Sequence, residues 1–343
     1  MPYQIGLTAD FLDDAGNLTY QDIGLALLEA NAGVEHAFFK KHDPEIQPAQ
    51  IANFDSVLAL TPRVTAATLK DVDRLTHIAR FGVGYDSVDV DACTQNDVVL
   101  TITAGGVNYS VAESVVAFML ALCHKMLIKD RMTREGRWDD RSGHMGSELR
   151  DRTLGIVGLG GIGATLAEMV APFRMKEVIA FDPYIDEARA KEAGVRLTSL
   201  DELMAEADFI SVNCPLNDAT RNLIGESQIA RMKPTAFLIN TARGGIIDEG
   251  PLITALKENR IAGAALDCHE QEPLPAGSRI AELDNVIIAP HAVAWSNELF
   301  RDLGHIACQQ MIDVSTGTIP HGVVNTDVLN RPGFQAKLAR HAS

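Results

Sequence analysis

Three segments in the last third of the chain carry side chains that could bind and protonate a small polar substrate. Arg243 lies in Asn240–Gly245, several carboxylates lie in Leu266–Pro273, and His291 follows Ala289-Pro290. A guanidinium can hold a carboxylate through two parallel hydrogen bonds, and an imidazole can donate a proton to a carbonyl oxygen. A carboxylate beside that imidazole would stabilise its cationic form. This combination predicts a site that reduces the carbonyl group of a keto acid.

A glycine-rich turn predicts the dinucleotide that such a reduction needs. The strand Leu154–Val157 runs into this turn, which opens a helix over Ala164–Phe173. Gly158 permits the tight turn, Gly160 lets the backbone approach a pyrophosphate, and Gly163 lets helix and strand pack closely. The pyrophosphate would lie over the helix N-terminus, where free N–H groups favour an anion. The predicted cofactor residues of the turn are Gly158, Gly160, Gly161, Ile162 and Gly163.

An acidic residue after the next strand predicts which dinucleotide is bound. Asp182 ends that strand, where a carboxylate accepts hydrogen bonds from the ribose hydroxyls and repels a 2′-phosphate. The following residues, Pro183-Tyr184-Ile185, include no arginine to hold such a phosphate. We therefore expect NAD rather than NADP.

The elements that must position these residues are short β-branched runs alternating with helical patterns, which is typical of parallel α/β sheets. The first series of predicted strands is Gln4–Thr8, Val34–Phe39, Ser56–Leu60, His77–Phe81 and Val98–Ile102. The second series is Thr153–Gly158, Val178–Phe181, Phe209–Asn213, Ala236–Asn240, Ala262–Leu266 and Val286–Ala289. Two successive sheets are therefore expected.

Helical patterns lie between these strands. The early ones are Gln21–Ala30 and Ala67–Leu75, and a long apolar helix is predicted over Asn108–Met126. A helix that is apolar all round is buried between domains or at a subunit interface. The charged stretch Lys129–Arg152 is expected to be an irregular arm, and a final helix over Ser296–Ser315 is expected to lead to a short tail.

The composition excludes several classes of protein. The chain has 343 residues, 46% of them hydrophobic, and a formal net charge of −16, which suits about two packed domains and disfavours nucleic acid as a partner. Its five cysteines form no CxxC pair, so neither a disulfide framework nor a metal site is predicted. The longest apolar stretch, Ser114–Cys123, is too short to cross a bilayer. We expect a cytoplasmic protein without a membrane partner.

These motifs resemble those of the D-isomer-specific 2-hydroxyacid dehydrogenases, a family that includes phosphoglycerate, glyoxylate/hydroxypyruvate and D-lactate dehydrogenases. The resemblance covers nearly the whole chain, in the family's order. It is carried by Arg80–Asp86, the glycine turn, Thr241–Gly245, Glu272–Pro275 and Pro290-His291. It implies an NAD-dependent enzyme that interconverts a D-2-hydroxy acid and its 2-keto acid.

The resemblance also implies roles for single residues. Arg243 would bind the substrate, His291 would be the acid/base, and Glu272 would pair with His291, with Glu270 as the alternative partner. The N–H groups of Val83 and Gly84 would bind the substrate carboxylate. The remaining implied cofactor residues are Asp267, which would hold the nicotinamide carboxamide, and Cys214, Pro215 and Thr241, which would line the dinucleotide.

The implied fold is two doubly wound parallel-sheet domains with a cleft between them. Residues 1–103, completed by 296–343, would form a flavodoxin-like substrate domain, and residues 104–295 a Rossmann NAD domain. The family usually dimerises through the NAD domain, so a homodimer is expected. In some relatives the region of Trp138 and His144 reaches a neighbouring subunit's site, although a packing role is the simpler interpretation. His269 replaces an apolar or aromatic residue, and its role is expected to be structural.

The substrate stays open at this point. Ser87 and Ala292–Trp295 depart from the commoner family sequence, and either could reshape the substrate pocket. Small polar keto acids, glyoxylate or hydroxypyruvate, are favoured because a phosphorylated substrate would need a further basic cluster, although Trp295 would suit a bulkier side chain. Two alternatives remain: an NAD-sensing, corepressor-like scaffold without activity, and a dehydrogenase of an unusual acid such as phosphite.

Overall fold

The computed structural model describes residues 2–341, which form two compact units. The first unit comprises the residues up to Val107 and those from Trp295 onward, and the second spans Asn108–Ala294. Each unit is an α/β layer structure around one parallel sheet.

The first unit contains a five-stranded parallel sheet in the order β2-β1-β3-β4-β5, the flavodoxin-like order. Its strands are β1 (Tyr3–Leu7), β2 (Val34–Phe38), β3 (Ser56–Ala59), β4 (His77–Arg80) and β5 (Val99–Ile102). Strand β3 is buried along its whole length, as expected when helices cover both faces of a parallel sheet.

Helices and 3₁₀ turns surround this sheet. The α-helices are Leu25–Glu29, Pro48–Ile51, Val90–Gln95, Asn297–Ser315 and Pro332–Ala339, and the 3₁₀ helices are Ala9–Phe11 and Thr326–Asn330. The helix expected over Gln21–Ala30 is thus shorter, and the residues after Ser315 contain a helix instead of a simple tail.

The helix predicted over Ala67–Leu75 is wrong. This segment forms successive turns, with i→i+3 hydrogen bonds such as Lys70 N–H to Ala67 O. Asp71 has a φ of 59°, a left-handed conformation that interrupts an α-helix. Leu69, Val72 and Leu75 are all buried, so turns bury the apolar positions that were interpreted as a helix face.

A directional chain of hydrogen bonds crosses the first sheet around His77, which is 0% exposed. His77 Nδ1 lies 3.1 Å from Ser56 Oγ, and Nε2 lies 2.8 Å from Thr101 Oγ1. The Gln310 amide N–H₂ donates to two carbonyls, so its oxygen accepts from Thr101 at 2.9 Å. Thr101 therefore accepts from His77 Nε2–H, and Nδ1 accepts from Ser56, whose oxygen lies 2.6 Å from the Tyr3 hydroxyl. Burial lowers the pKa of His77 to about 3, so this imidazole is neutral.

The second unit contains a seven-stranded parallel sheet in the order β12-β11-β10-β9-β6-β7-β8. Counted within the unit this is 7-6-5-4-1-2-3, the doubly wound order of a Rossmann fold. The strands are β6 (Thr153–Val157), β7 (Glu177–Phe181), β8 (Arg196–Leu197), β9 (Phe209–Val212), β10 (Phe237–Asn240), β11 (Gly263–Leu266) and β12 (Val286–Ile288). The sequence predicts all of these except the two-residue edge strand β8.

Helices cover both faces of this sheet. The α-helices are Asn108–Cys123, Met126–Arg134, Gly161–Val170, Glu187–Glu192, Leu200–Glu206, Glu226–Ile229 and Glu249–Lys257, and the 3₁₀ helices are Trp138–His144, Ala171–Phe173 and Arg279–Glu282. Two clusters of buried apolar residues fill the two sides.

The long helix ends earlier than predicted, and the arm is less irregular. The helix that begins at Asn108 stops at Cys123, whose carbonyl accepts the Ser147 N–H at 2.8 Å. Lys125 then adopts a φ of 53°, and a second helix, Met126–Arg134, occupies the start of the predicted arm. None of the single helices within residues 2–341 is long and apolar enough to cross a membrane, although the bent pair Asn108–Cys123 and Met126–Arg134 meets that test by length and composition alone.

Candidate functional site

The candidate residues of the second unit lie at one edge of its sheet. Gly158 follows β6, Asp182 follows β7 and Cys214 follows β9. Arg243 and Thr241 follow β10, Asp267 follows β11, and His291 follows β12. All these strands are parallel, so their carboxyl ends meet at the same edge, where open α/β sheets bind ligands.

The glycine turn leaves room for a phosphate at a helix N-terminus. Gly160 is the residue that precedes the helix Gly161–Val170, and a Cβ added to it would meet no atom within 4 Å. Gly158 has a φ of 98°, and a Cβ there would lie 2.8 Å from Cys214 N. A Cβ on Gly163 would collide with the carbonyl of Gly158. The open space at Gly160 and the close packing at Gly158 and Gly163 suit a turn whose backbone N–H groups bind a pyrophosphate.

Two further groups suit the rest of a dinucleotide. The Asp182 carboxylate is held by the N–H groups of Leu159 and Tyr184, each at 2.9 Å, which fixes it beside the glycine turn. Thr241 Oγ1 is buried and has no hydrogen-bond partner within residues 2–341. A buried hydroxyl without a partner is costly, and a bound polar ligand would relieve that cost. The residues present therefore fit NAD.

Cys214 and Pro215 lie in the loop after β9, and Ile162 lies in the first turn of the helix after Gly160. Cys214 is partly buried, and burial raises the pKa of its thiol to about 11. This thiol is thus protonated at neutral pH and suits the lining of a cofactor site better than nucleophilic chemistry.

Arg243 lies in a turn that is held by the end of β10. The Asn240 side chain accepts the Ala242 N–H at 3.0 Å and donates to the Arg243 carbonyl at 2.8 Å. The guanidinium itself donates from Nη1 to the Ala242 carbonyl at 2.7 Å. The turn therefore fixes the backbone of Arg243 and holds its guanidinium against the Ala242 carbonyl.

His291 and Glu272 form a hydrogen-bonded pair. His291 Nδ1 lies 2.8 Å from Glu272 Oε2, and the two side chains are 42% and 36% exposed. His291 has a φ of 54°, an uncommon conformation for a residue other than glycine that is often found at functional sites. Glu270, the other candidate partner, instead accepts the Glu249 N–H at 3.0 Å.

Asp267 holds the backbone around His291. Its carbonyl accepts the His291 N–H at 2.8 Å, and its Oδ1 accepts the N–H groups of Ala292 and Val293 at 2.9 and 3.1 Å. Burial raises the pKa of the Asp267 carboxyl, and these two N–H groups only partly offset that effect. For Glu272, burial alone would raise the pKa, but the hydrogen bonds from His291 and from a backbone N–H lower it below its usual value.

That backbone N–H belongs to His269, whose contribution the sequence does not reveal. The His269 N–H donates to Glu272 Oε1 at 2.9 Å, while its ring Nε2 lies 3.1 Å from the carbonyl of Ala289. A carbonyl only accepts, so Nε2 carries the hydrogen. His269 thus links the Glu272 loop to the segment that precedes His291. Its role as a buried structural residue agrees with the expectation, but its contact with Glu272 depends on a loop conformation that no spacing rule predicts.

In the first unit, the turn after β4 presents two backbone donors. Within residues 2–341 the N–H groups of Val83 and Gly84 donate no hydrogen bond, and both residues are half-buried. Gly82 anchors the turn, because its N–H donates to Thr103 Oγ1 at 3.0 Å and its carbonyl accepts the Thr103 N–H at 3.0 Å. Adjacent free N–H groups of this kind suit an anion.

A family model agrees with this geometry. The model described as D-isomer specific 2-hydroxyacid dehydrogenase, NAD binding domain, matches residues 116–293, a range that contains the glycine turn, Arg243, Glu272 and His291. The chain belongs to the D-isomer specific 2-hydroxyacid dehydrogenase family. It is therefore an oxidoreductase that acts on CH–OH groups with NAD as its cofactor.

Named relatives agree with this assignment. A glyoxylate reductase of Korarchaeum cryptofilum is 38% identical over 284 residues, which cover 81% of this chain and 85% of the relative. A D-3-phosphoglycerate dehydrogenase of Archaeoglobus fulgidus is 36% identical over 273 residues, which cover 80% of this chain but only 51% of that protein. The crystal structure of a glyoxylate reductase from Paecilomyes thermophila superposes with a TM-score of 0.81 at 25% identity, covering 95% of this chain and 100% of the other. The predicted family and the predicted fold class are confirmed.

The arm of this dehydrogenase is largely exposed. Trp138 is 62% exposed, and His144 is half-buried in the same 3₁₀ helix. The structure describes one chain, so a contact of either residue with a neighbouring subunit stays a prediction.

Proposed function

We propose that this dehydrogenase interconverts a D-2-hydroxy acid and its 2-keto acid, with His291 as the acid/base, Glu272 as its partner and Arg243 as the substrate-binding cation. The observation that carries the proposal is the 2.8 Å contact between His291 Nδ1 and Glu272 Oε2, at the sheet edge that also carries the glycine turn. The glycine turn and Asp182 would hold NADH, which would supply the hydride for the carbonyl carbon. Every other requirement falls on side chains and backbone groups of the protein.

The first requirement is a proton for the carbonyl oxygen. The carboxylate of Glu272 engages Nδ1, so Nε2 is the ring nitrogen that can face a substrate. From Nε2 the ring can donate a proton during reduction and accept it back during oxidation. The His269 N–H and the Asp267 carboxylate support this arrangement, because one orients Glu272 and the other holds the backbone of residues 291–293.

The second requirement is a hold on the substrate carboxylate. The planar guanidinium of Arg243 has the shape to bind a carboxylate and the adjacent carbonyl oxygen through two parallel N–H groups. The N–H groups of Val83 and Gly84 are proposed as further carboxylate donors. Good substrates should therefore carry a carboxylate next to a ketone or aldehyde.

Among such substrates we favour small polar keto acids, glyoxylate or hydroxypyruvate. The names of the relatives from Korarchaeum cryptofilum and Paecilomyes thermophila support this choice. The other relative acts on a phosphorylated acid by name, but this chain spans about half of its length.

The experiment is a screen of the purified chain with NADH or NADPH against a panel of 2-keto acids. We expect NADH-dependent reduction of glyoxylate and hydroxypyruvate, with pyruvate, phenylpyruvate and phosphohydroxypyruvate slower. Strong turnover of phosphohydroxypyruvate with both small acids inert would contradict the proposed substrate. No turnover of any keto acid would contradict the proposed reaction.

We further propose that the enzyme acts in the cytoplasm as a homodimer. The five cysteines carry free thiols, which suits a reducing compartment. The arm and the helix before it expose Met126, Leu127, Trp138 and Met145, a set of apolar side chains typical of a protein interface. Light scattering on the purified chain should give twice the monomer mass, and a monomer at micromolar concentration would contradict the dimer.

A further inference from the structure

A cysteine joins the His291–Glu272 pair to form a cluster with the chemistry of a metal site. One ligand atom each from Cys268, Glu272 and His291 lies within 4.8 Å of the other two. Cys268 is only 1% exposed, whereas the other two side chains reach solvent. The three residues come from two loops that follow neighbouring strands, β11 and β12.

The ligand types favour a thiophilic divalent cation. A thiolate, a carboxylate and an imidazole are the groups that bind zinc in proteins, at roughly 2.0–2.3 Å from the ion. Two ligands of one tetrahedral ion are then about 3–4 Å apart, so the cluster needs only small side-chain rotations. A thiolate and a carboxylate together neutralise a dication, and solvent can reach the fourth position. Three protein ligands with one open position are typical of an accessible zinc site.

The hydrogen bonds of the three side chains to backbone groups can be exchanged for or kept beside an ion. The Cys268 thiol donates to the Ala242 carbonyl at 3.3 Å, a weak hydrogen bond that the ion would replace. The same carbonyl also accepts from Arg243, so it stays hydrogen-bonded when the thiol turns away. Glu272 Oε1 can keep the His269 N–H while Oε2 binds the ion.

We propose that Cys268, Glu272 and His291 form a Zn²⁺ site whose occupation inhibits the enzyme, a proposal that rests on the proposed function of His291. The ion takes the lone pair of His291 Nδ1 and an oxygen of Glu272, in place of the hydrogen that these two groups share. Binding releases the thiol proton of Cys268, and the proton held between Nδ1 and Oε2, to solvent. No electron is transferred.

Inhibition follows because the ion occupies His291. An imidazole bound to a metal through Nδ1 keeps only its Nε2 hydrogen and cannot take a second proton. The site can then bind NADH but cannot protonate a carbonyl oxygen.

The binding test uses Co²⁺ as a spectroscopic substitute for Zn²⁺ and does not depend on activity. Titration of Co²⁺ into the chain without NAD should produce a thiolate-to-cobalt charge-transfer band in the near ultraviolet that saturates at one equivalent. Added Zn²⁺ should displace the band. Absence of the band in the wild-type chain would overturn the proposal, and this result needs no variant.

Two alanine variants assign the site. Cys268→Ala should abolish the band and weaken Zn²⁺ binding more than about 100-fold, because even outer-shell changes cost 10–100-fold. The matched control is Cys308→Ala, which removes another buried thiol from the first unit. This variant should keep both the cobalt band and the Zn²⁺ affinity of the wild type. If Cys268→Ala does not fold, Cys268→Ser keeps the volume and should also lose the band. Equal Zn²⁺ affinity in either Cys268 variant and the wild type would overturn the proposal.

The inhibition test separates this proposal from the proposed function. Zn²⁺ should inhibit NADH-dependent keto-acid reduction, EDTA should restore it, and Cys268→Ala should need more than about 100-fold more Zn²⁺ relative to its own metal-free rate. Reduction that Zn²⁺ does not affect, in a chain that shows the cobalt band, would overturn the inhibitory role. A chain that reduces no keto acid would contradict the proposed function alone, because the cobalt band still tests the metal site.

Discussion

His77 in the first unit and His291 in the second each lie in a hydrogen-bonded cluster, and the two side chains differ in burial and in partners. His77 in the first unit is fully buried, and both ring nitrogens meet hydroxyl groups in a chain whose direction is set by Gln310. His291 in the second unit is 42% exposed and has a carboxylate on Nδ1. Burial holds His77 neutral, whereas His291 has a carboxylate partner whose own pKa lies below its usual value.

The hydrogen-bond partners of a histidine and its access to solvent decide whether it serves as a structural residue or as a proton donor and acceptor. Hydroxyl partners fill the donor and the acceptor position of a neutral imidazole, so neither ring nitrogen is available to exchange a proton with a substrate. A carboxylate partner on one nitrogen, with solvent access to the side chain, makes proton exchange possible at the other. His77 should therefore serve the stability of its unit, and His291 should serve the reaction.

The largest expected effect comes from His291→Ala. It should lower kcat for keto-acid reduction by roughly 10²–10⁴-fold, the usual contribution of a positioned acid/base. NADH affinity and thermal stability should change little, because the side chain is exposed. Steady-state kinetics, a fluorescence titration of NADH and a thermal melt check these three quantities. A kcat within a few-fold of the wild type would remove His291 from the mechanism.

His77→Ala should give the opposite pattern. It removes partners from the hydroxyls of Ser56 and Thr101 and leaves a cavity, which should cost about 2–5 kcal/mol of unfolding free energy. Activity per folded molecule should stay near that of the wild type. Denaturant unfolding and kinetics on the same samples measure both quantities. A large loss of activity without a loss of stability would contradict the structural role of His77.

The pH dependence of the His77 effect has a definite sign. The folded pKa of His77, about 3, lies below the unfolded value of about 6.5. The stability that the neutral imidazole contributes is therefore present above pH 6.5 and is lost as the pH falls from 6.5 toward 3. The difference in unfolding free energy between the wild type and His77→Ala should shrink over that range, and a constant difference would contradict the buried neutral state.

A smaller effect is expected from Glu272→Gln. The variant keeps a hydrogen-bonding oxygen but lacks the negative charge that Glu272 places beside His291. Reduction should therefore slow modestly, and the pH–rate profile should lose the contribution of the Glu272 carboxyl, whose pKa the hydrogen bond from His291 lowers. Glu270→Gln is the matched control and should leave the pH–rate profile unchanged, because Glu270 contacts Glu249 instead. Identical profiles for Glu272→Gln and the wild type would contradict the pairing.

The smallest effect should come from Asp267→Asn, measured as stability. The folded pKa of Asp267 is raised by burial, so the wild type loses stability as the pH rises from the unfolded pKa of the carboxyl through the folded one. An amide oxygen can still accept from Ala292 and Val293 without a buried charge. The variant should match or slightly exceed the Tm of the wild type at neutral pH, and this advantage should vanish in acid. A Tm deficit that grows toward neutral pH would contradict this account.

Much of the fold follows from the sequence because strands of a parallel sheet are continuous apolar runs. Strands such as Ser56–Ala59 and Phe209–Val212 are buried throughout and were predicted within one residue at each end. The false helix over Ala67–Leu75 arose because a three-residue apolar spacing serves turns as well as helices. The end of the long helix at Cys123 depends on the contact with Ser147, which the local sequence does not contain.

The candidate site shows the same limit. Residue types and order predict Arg243, the acids after β11 and His291 as site residues, and the family resemblance favours Glu272 over Glu270 as the partner of His291. The loop conformation places Glu272 against His291 and Glu270 against Glu249. The contact of His269 with Glu272 and the approach of Cys268 to the pair depend on that same conformation. Residue types and spacing do not predict which side chains of two loops contact each other. Chemistry that depends on such contacts can be derived only from the structure.

The most direct test of the central claim compares hydroxypyruvate with dihydroxyacetone, which replaces the carboxylate by a hydroxymethyl group and keeps the rest of the skeleton. The account predicts that NADH reduces hydroxypyruvate with a kcat/KM at least about 10³-fold higher, because a site built to bind a polar group rejects an analogue without it. Arg243→Lys should remove most of this preference, since an ammonium cannot reproduce the two-point contact. Equal kcat/KM values for the two substrates in the wild type would contradict the claim that the site recognises the carboxylate of a 2-keto acid.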